Sequence, residues 1–520
     1  MRDFQLPGRS PAVASGGMAA TSHPLATLAA VDVLRRGGNA ADAAIAAVAV
    51  LCVVEPQSTG IGGDCFWMYA PPGAVRPFAY NGAGRAPAAI PALEEIGTGS
   101  PHSVTVPGAV DAWARLAADH GTMELGALLA DAIRHADEGF AVQAAVAADW
   151  ALASSTLAAD PDAAAAYLDS GGGAPAAGDV VRFPRLAATL RAIAAGGRDV
   201  FYQGEVAADI AAKLQALGGA MTQDDLAAHR GEPVEPISIE YRGATVFECP
   251  PPGQGVIALE LLAVLAGFDL AGIEPDSAIR LHLECEAGRL CFADRDAVLC
   301  DGDVPVDVLL SDTHASALRA RIDLNAAMAE ALPVIAGGHR DTVYLATADA
   351  GGGTCSLINS LFHPFGSGIL APGSGVLLQN RGSGFATAEG HPNRVAPGKR
   401  PLHTIIPGMA LEPEGSMLAF GVMGGDYQPF GHAHFLGNLR DHGLDLQQAL
   451  DLPRVFHTHG VLLAETSLPE DTIRGLEARG HQVLPAGGGL GGGQAVRVDR
   501  GSGVLTGASD HRKDGFAAGP

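Results

Sequence analysis

Apolar residues recur at helical spacing through residues 22–54 and predict two consecutive helices. Leu25, Leu28, Val31 and Leu34 form one stripe, Ser22 is placed to cap it, and Gly37-Gly38-Asn39 ends it. Residues 42–54 then run almost wholly apolar and Ala-rich, as a helix buried on most sides does. A turn-rich stretch at 56–64 leads into a strand at 65–69, and helices alternate with short extended pieces to about residue 330. The Ala-rich stretches near 143–166 and 186–196 are predicted helical, because alanine is the best helix former. Residues 170–178 are predicted as a loop. Around residue 340 the character changes. A polar, flexible Gly337-Gly338 approach precedes a predicted strand at 342–348, a turn at 350–353 and a second strand at 354–360, together a hairpin. Gly-rich turns, short strands, a helix near 443–451 and a Gly-dense stretch at 487–493 follow. No long polar linker separates the halves, so they are expected to form one body.

Composition narrows the class without naming a function. The 520 residues correspond to about 2.6–5 domains at 100–200 residues each, or to one large α/β unit. Apolar types make up 48% and charged types 17%, which excludes a disordered chain. The 69 glycines follow no collagen-like period and are expected in tight turns and close backbone approaches. A formal net charge of −24 argues against nucleic acid or an anionic membrane as the main partner. Seven cysteines without a Cys-x-x-Cys pair favour free thiols in a reducing compartment. Asp3 and Arg9 interrupt any signal-peptide core, and the longest apolar run, 43–54, is too short to span a bilayer. The expected location is cytoplasmic.

Most candidate motifs have a plainer explanation. Residues 487–492 match G-x-G-x-x-G, but Pro485 precedes them and an extended stretch follows, so a nucleotide site is not expected. His432/His434 and His457/His459 would each place two imidazoles on one strand face, without a carboxylate at diagnostic spacing. His282, Glu284 and Glu286 suggest a solvated or salt-bridged face. No G-x-S-x-G elbow occurs, and Cys291 and Cys300 are expected to be core thiols. The chemistry concentrates at Thr342. A threonine hydroxyl needs an adjacent base, and its own α-amine serves once the chain is cut before it. Asp341-Thr342 at a strand start is placed for such a cut, although a plain edge-strand threonine has the same signature.

Ordered motifs then point to a family. They include Arg35-Arg36-Gly37-Gly38-Asn39-Ala40-Ala41-Asp42, Glu55-Pro56-Gln57-Ser58-Thr59-Gly60-Ile61-Gly62-Gly63 and Val106-Pro107-Gly108. Pro251-Pro252-Gly253-Gln254-Gly255, Asp341-Thr342, Phe365-Gly366-Ser367-Gly368 and Gly398-Lys399-Arg400-Pro401-Leu402 follow in order. Met423-Gly424-Gly425 and Gly507-Ala508-Ser509-Asp510 complete the series. The chain resembles the gamma-glutamyltransferase family of N-terminal-nucleophile hydrolases. The resemblance implies a four-layer αββα sandwich and self-cleavage between Asp341 and Thr342. It would leave a large subunit, 1–341, and a small subunit, 342–520, intertwined as one unit, with a dimer of these heterodimers left open. It implies that Thr342 attacks a small-molecule amide and that water or an amine acceptor resolves the acyl-enzyme. Ser360 takes the place of the family's second hydroxyl, and Gly424 and Gly425 match the oxyanion-hole glycines. Neither motifs nor resemblance implies a cofactor or a metal.

The departures bear on the substrate. Phe362 stands where the transferases carry an asparagine, and Gly384 where an aspartate pairs with the glutamyl α-ammonium. His403-Thr404 replace paired serines, and Arg381 replaces a neutral or acidic residue. The substrate-carboxylate arginine should lie before Pro87, where Arg85 is offset by two positions. The expected acyl group therefore carries a carboxylate but no α-amine, as in oxamate or glutaryl amides, with Arg85, Arg381 and His403 supplying positive field. The alternatives are a glutathione hydrolase, and a non-catalytic, unprocessed binding protein.

Overall fold

The computed structural model describes residues 8–329 and 342–520. Two seven-stranded sheets, each antiparallel throughout, stack face to face. The first runs Ala517–Ala518, Gly17–Ala20, Val343–Asp349, Thr354–Ser360, Asp64–Ala70, Phe78–Asn81, Glu232–Val234. The second runs Ala12–Ala14, Leu505–Ser509, Gly492–Val498, Met417–Met423, Gly408–Leu411, Ala244–Glu248, Ile237–Tyr241. Both sheets take strands from either side of residue 342.

The period-two alternation of strand side chains sorts residues into layers. Phe66, Met68, Tyr344, Ala346 and Ile358 point inward and meet Phe247, Met409, Met417, Ala419 and Val496 of the opposite sheet. Trp67, Tyr69, Val343, Leu345 and Leu357 point outward under helices that include Pro24–Arg35 and Ala40–Val54. Helices Gly255–Leu265, Ala278–Val298 and Gln428–Arg440 cover the other sheet, against Val246, Leu418, Phe420 and Val422. The architecture is the expected four-layer αββα sandwich.

Local details differ from the sequence expectations. His23, not Ser22, caps the first helix, its Nδ1 accepting from Leu25 N at 3.2 Å, because Pro24 opens the helix one residue later than Ser22 requires. Asn39 and Asp42 form a capping box, so the second helix begins at Ala40. The hairpin lies where the sequence reading placed it, shifted by one residue at its first strand. The Gly-dense stretch joins strands Val483–Pro485 and Gly492–Val498, so no helix receives it. All seven cysteines are free and buried. Among the described residues no helix is long and apolar enough to cross a membrane.

Candidate active site

Strand register assembles the centre of the site. Val343 pairs with Asn359, so Thr342, one residue earlier, stands opposite Ser360, which in turn pairs with Asp64 on the next strand. Two residues along from the inward-facing Tyr344, Ile358 and Phe66, these three share the inner face. Thr342 Oγ1 and Ser360 Oγ are 3.0 Å apart, and both residues are buried. Ser360 Oγ accepts from the backbone N–H of Phe362 at 2.9 Å. That bond goes with an unusual backbone: Phe362 has φ +84°, a region that side chains rarely tolerate and that marks strain held by its surroundings.

Arg381 lies against this pair. Fully buried, its Nη1 donates to Thr404 Oγ1 at 2.7 Å and its Nη2 reaches Ser360 Oγ at 3.5 Å. Its guanidinium carbon sits 4.0 Å from the centre of the Phe362 ring, a cation–π contact. The same ring faces Gly384, where an added Cβ would stand 3.8 Å from its edge. The two departures from the transferase pattern are thus neighbours.

Asp64 and His403 form the floor. Asp64 Oδ1 accepts from the backbone of Gly84 at 3.0 Å and of Gly108 at 3.1 Å, and from Gln379 Nε2 at 3.0 Å. His403 Nδ1 accepts from Ile405 N, which leaves the ring proton on Nε2 to donate to Asp64 Oδ2 at 3.0 Å. Burial, reinforced by Arg381 and opposed by Asp64, lowers His403 to about 4. Burial alone would raise Asp64, but the hydrogen bond from His403, the field of Arg381 and the Gln379 amide together hold it below its ordinary value. His403 is therefore neutral near pH 7 and orients Asp64. The expectation that it adds positive field is corrected.

The glycine pair closes the site from the second sheet. Gly424 and Gly425 follow strand Met417–Met423 with φ of +121° and +60°, and lead through a short 3-10 turn into helix Gln428–Arg440. A Cβ on Gly424 would stand 3.1 Å from Gly491 Cα, too close for comfort at a backbone angle that already favours glycine. Gln254 Nε2 donates to both Gly425 O and Thr404 O at 2.8 Å. Arg295 Nη1 holds Gln254 Oε1 at 3.2 Å and Asp426 Oδ1 at 2.8 Å. A continuous set of hydrogen bonds thus runs from the glycine turn through Gln254, Thr404 and Arg381 to Ser360 and Thr342.

Arg85 is not part of this set. It is half-exposed and bonded to Glu232 at 2.8 Å, Asp301 at 3.3 Å and Gly398 O at 3.0 Å, so its charge is spent at the rim. Asp341 lies outside the described residues. His432 and His434 sit on a helix, not a strand, where two positions apart means opposite sides; each binds its own carboxylate, Glu248 at 2.6 Å and Glu284 at 3.0 Å. His282, Glu284 and Glu286 are buried in helix Ala278–Val298, so of the two expectations the salt-bridged one holds and the solvated one does not: Glu284 pairs with Arg280 at 2.6 Å and Glu286 with Arg289 at 2.8 Å. Sequence reasoning missed Asp64 and Gln379 and gave no role to Gln254. Asp64 directly follows the Gly62-Gly63 motif, which was the available signal.

With hydroxyl pair, buried cation and glycine turn in place, comparison with known proteins is informative. The gamma-glutamyltranspeptidase family model matches residues 26–520. The glutathione hydrolase-like YwrD proenzyme of Bacillus subtilis (strain 168) is 37% identical over 96% of this chain and 98% of its own length. The oxamate amidohydrolase proenzyme of Klebsiella pneumoniae subsp. pneumoniae is 35% identical over 98% of this chain and 99% of its own. The crystal structure of cephalosporin acylase from Bacillus halodurans superimposes with a TM-score of 0.89 at 39% identity, covering 100% of this chain and 99% of that one.

Proposed function

Because the chain belongs to the gamma-glutamyltranspeptidase family of N-terminal-nucleophile hydrolases, we propose that Thr342 is the nucleophile of a self-processed amidohydrolase. In the precursor, Thr342 Oγ1 attacks the carbonyl of residue 341, forming an ester while the amide nitrogen takes a proton. Water opens the ester and yields subunits 1–341 and 342–520. The freed α-amine, with a reference pKa of about 7.7–8.0, then serves as base for the same hydroxyl near neutral pH. Ser360 holds Thr342 Oγ1 by the 3.0 Å contact, and the N–H groups of Gly424 and Gly425 receive the developing oxyanion. Water or an amine acceptor resolves the acyl-enzyme.

The acyl group carries a carboxylate and no α-amine. The observation that supports this most directly is Arg381, a fully buried cation within 3.5 Å of Ser360 Oγ, with the Phe362 ring covering its face. A guanidinium so placed can receive a substrate carboxylate through charge-assisted hydrogen bonds. The opposite charge, needed to hold an α-ammonium, is absent at Gly384, and Asp64 is already engaged by His403, Gln379 and two backbone N–H groups. A relative named for oxamate amide hydrolysis fits the same preference.

Purified wild type should run as two chains on a denaturing gel and the Thr342→Ala variant as one. Release from oxamate, a glutaryl amide and a γ-glutamyl amide should then be compared. Faster turnover of either amine-free acyl group is expected; preference for the γ-glutamyl amide would overturn the assignment in favour of a glutathione hydrolase. A wild-type chain that stays intact would favour an unprocessed binding protein.

A further inference from the structure

A second cluster of ionisable groups lies in the helical layer that covers the other sheet. Glu260 is on helix Gly255–Leu265, Asp294 on helix Ala278–Val298 and His314 on helix Asp312–Arg319. His314 Nε2 stands 2.9 Å from Glu260 Oε1 and 2.9 Å from Asp294 Oδ2. One imidazole nitrogen carries at most one proton, so His314 donates to one carboxylate only, and Glu260 and Asp294 lie close to each other beside it. Glu260 is fully buried, and its second oxygen, Oε2, has no hydrogen-bond partner. Such a group buried in an apolar layer is costly unless something positive reaches it.

The three donor atoms lie within 4.8 Å of one another. Ligand atoms about 2.1 Å from an ion and at right angles to one another are about 3.0 Å apart, close to both observed spacings. Imidazole with two carboxylates is a donor set for first-row divalent ions. Asp294 and His314 are partly exposed, which leaves room for water on the remaining positions and a route in from solvent.

We propose that Glu260, Asp294 and His314 bind a divalent first-row transition-metal ion that ties these three helices together. The ion is structural and lies apart from Thr342. Its placement matters to the reaction indirectly: Gln254 precedes the helix of Glu260, and Arg295 follows Asp294, and these two residues brace the Gly424–Gly425 turn.

The test uses tag-free, fully processed protein stripped with a chelator. Mn2+ alone is titrated by loss of the free-ion paramagnetic resonance signal, and Zn2+ alone by calorimetry. One ion per precursor-equivalent with micromolar or tighter affinity is expected for at least one of them, with a rise in Tm. His314→Gln and Asp294→Asn should each weaken that affinity at least tenfold and abolish the rise. Asp294 and His314 are both partly exposed, so both variants are expected to fold. Failure of both ions to bind, or binding unchanged in His314→Gln, would overturn the proposal.

Discussion

Arg381 couples charge to shape at the scale of a single side chain. Its guanidinium is held between the Thr404 hydroxyl and the Phe362 ring, and Phe362 accepts a left-handed backbone to stay there. In Arg381→Gln, removal of the buried cation should cost about 2–4 kcal/mol in transition-state binding, a roughly 30- to 900-fold drop in kcat/KM for carboxylate-bearing amides. Self-cleavage on a denaturing gel reports whether that variant folds. An equal loss on amides without the carboxylate would show that Arg381 acts only as scaffolding. At this scale the sequence was partly legible. Thr342, Ser360, Phe362, Arg381 and Thr404 do converge, whereas Arg85 was chosen by position along the chain and its bonds lead elsewhere. Asp64 escaped notice because its role arises from cross-strand pairing with Ser360, a neighbour 296 positions away.

Elements rich in apolar residues were easy to foresee, and helices that bury charged residues were not. The hairpin before and after residue 350 is rich in apolar and β-branched residues on either side of a glycine turn, and its two strands formed as expected. Helices Ala278–Val298 and Gln428–Arg440 carry charged and imidazole groups inside the protein, paired within the helix or to partners on other elements, so their polar residues mimicked strands. The loop-to-helix junction at Gln254 shows what such buried polar groups do. In Gln254→Leu, the carbonyls of Thr404 and Gly425 lose their shared donor, at about 1–3 kcal/mol. The expected result is a roughly 5- to 150-fold fall in kcat with little change in KM, because the proposed role of the glycine turn is in the transition state. A variant with unchanged kcat would refute that bracing role.

Over the whole molecule, buried imidazoles set the response to acid. Burial holds His23 at about 3 and His229 and His403 at about 4, against about 6.5 in an unfolded chain. The folded-state values are depressed, so below about pH 6.5 the unfolded chain takes up protons that the folded one refuses. Stability is fully present above that pH and is lost as the pH falls toward 4, each histidine contributing up to about 1.4 kcal/mol per pH unit. Thermal midpoints measured from pH 7.5 down to 5 should decline steadily; a flat or rising profile would contradict the burial of these neutral rings.

The sequence by itself determined the elements with strongly apolar patterning, the turns that favour glycine, and the proposed nucleophile, whose chemistry is local to Thr342 and the bond before it. These follow from interactions among residues close along the chain, or from backbone angles that few residue types can adopt. Tertiary structure decided which charges meet. It gave Arg381 a buried place beside Ser360, spent Arg85 on Glu232 and Asp301, kept His403 neutral against Asp64, and gathered Glu260, Asp294 and His314 from three helices. Electrostatic partners are chosen by distance and burial in space, and neither quantity is written in the order of residues along the chain.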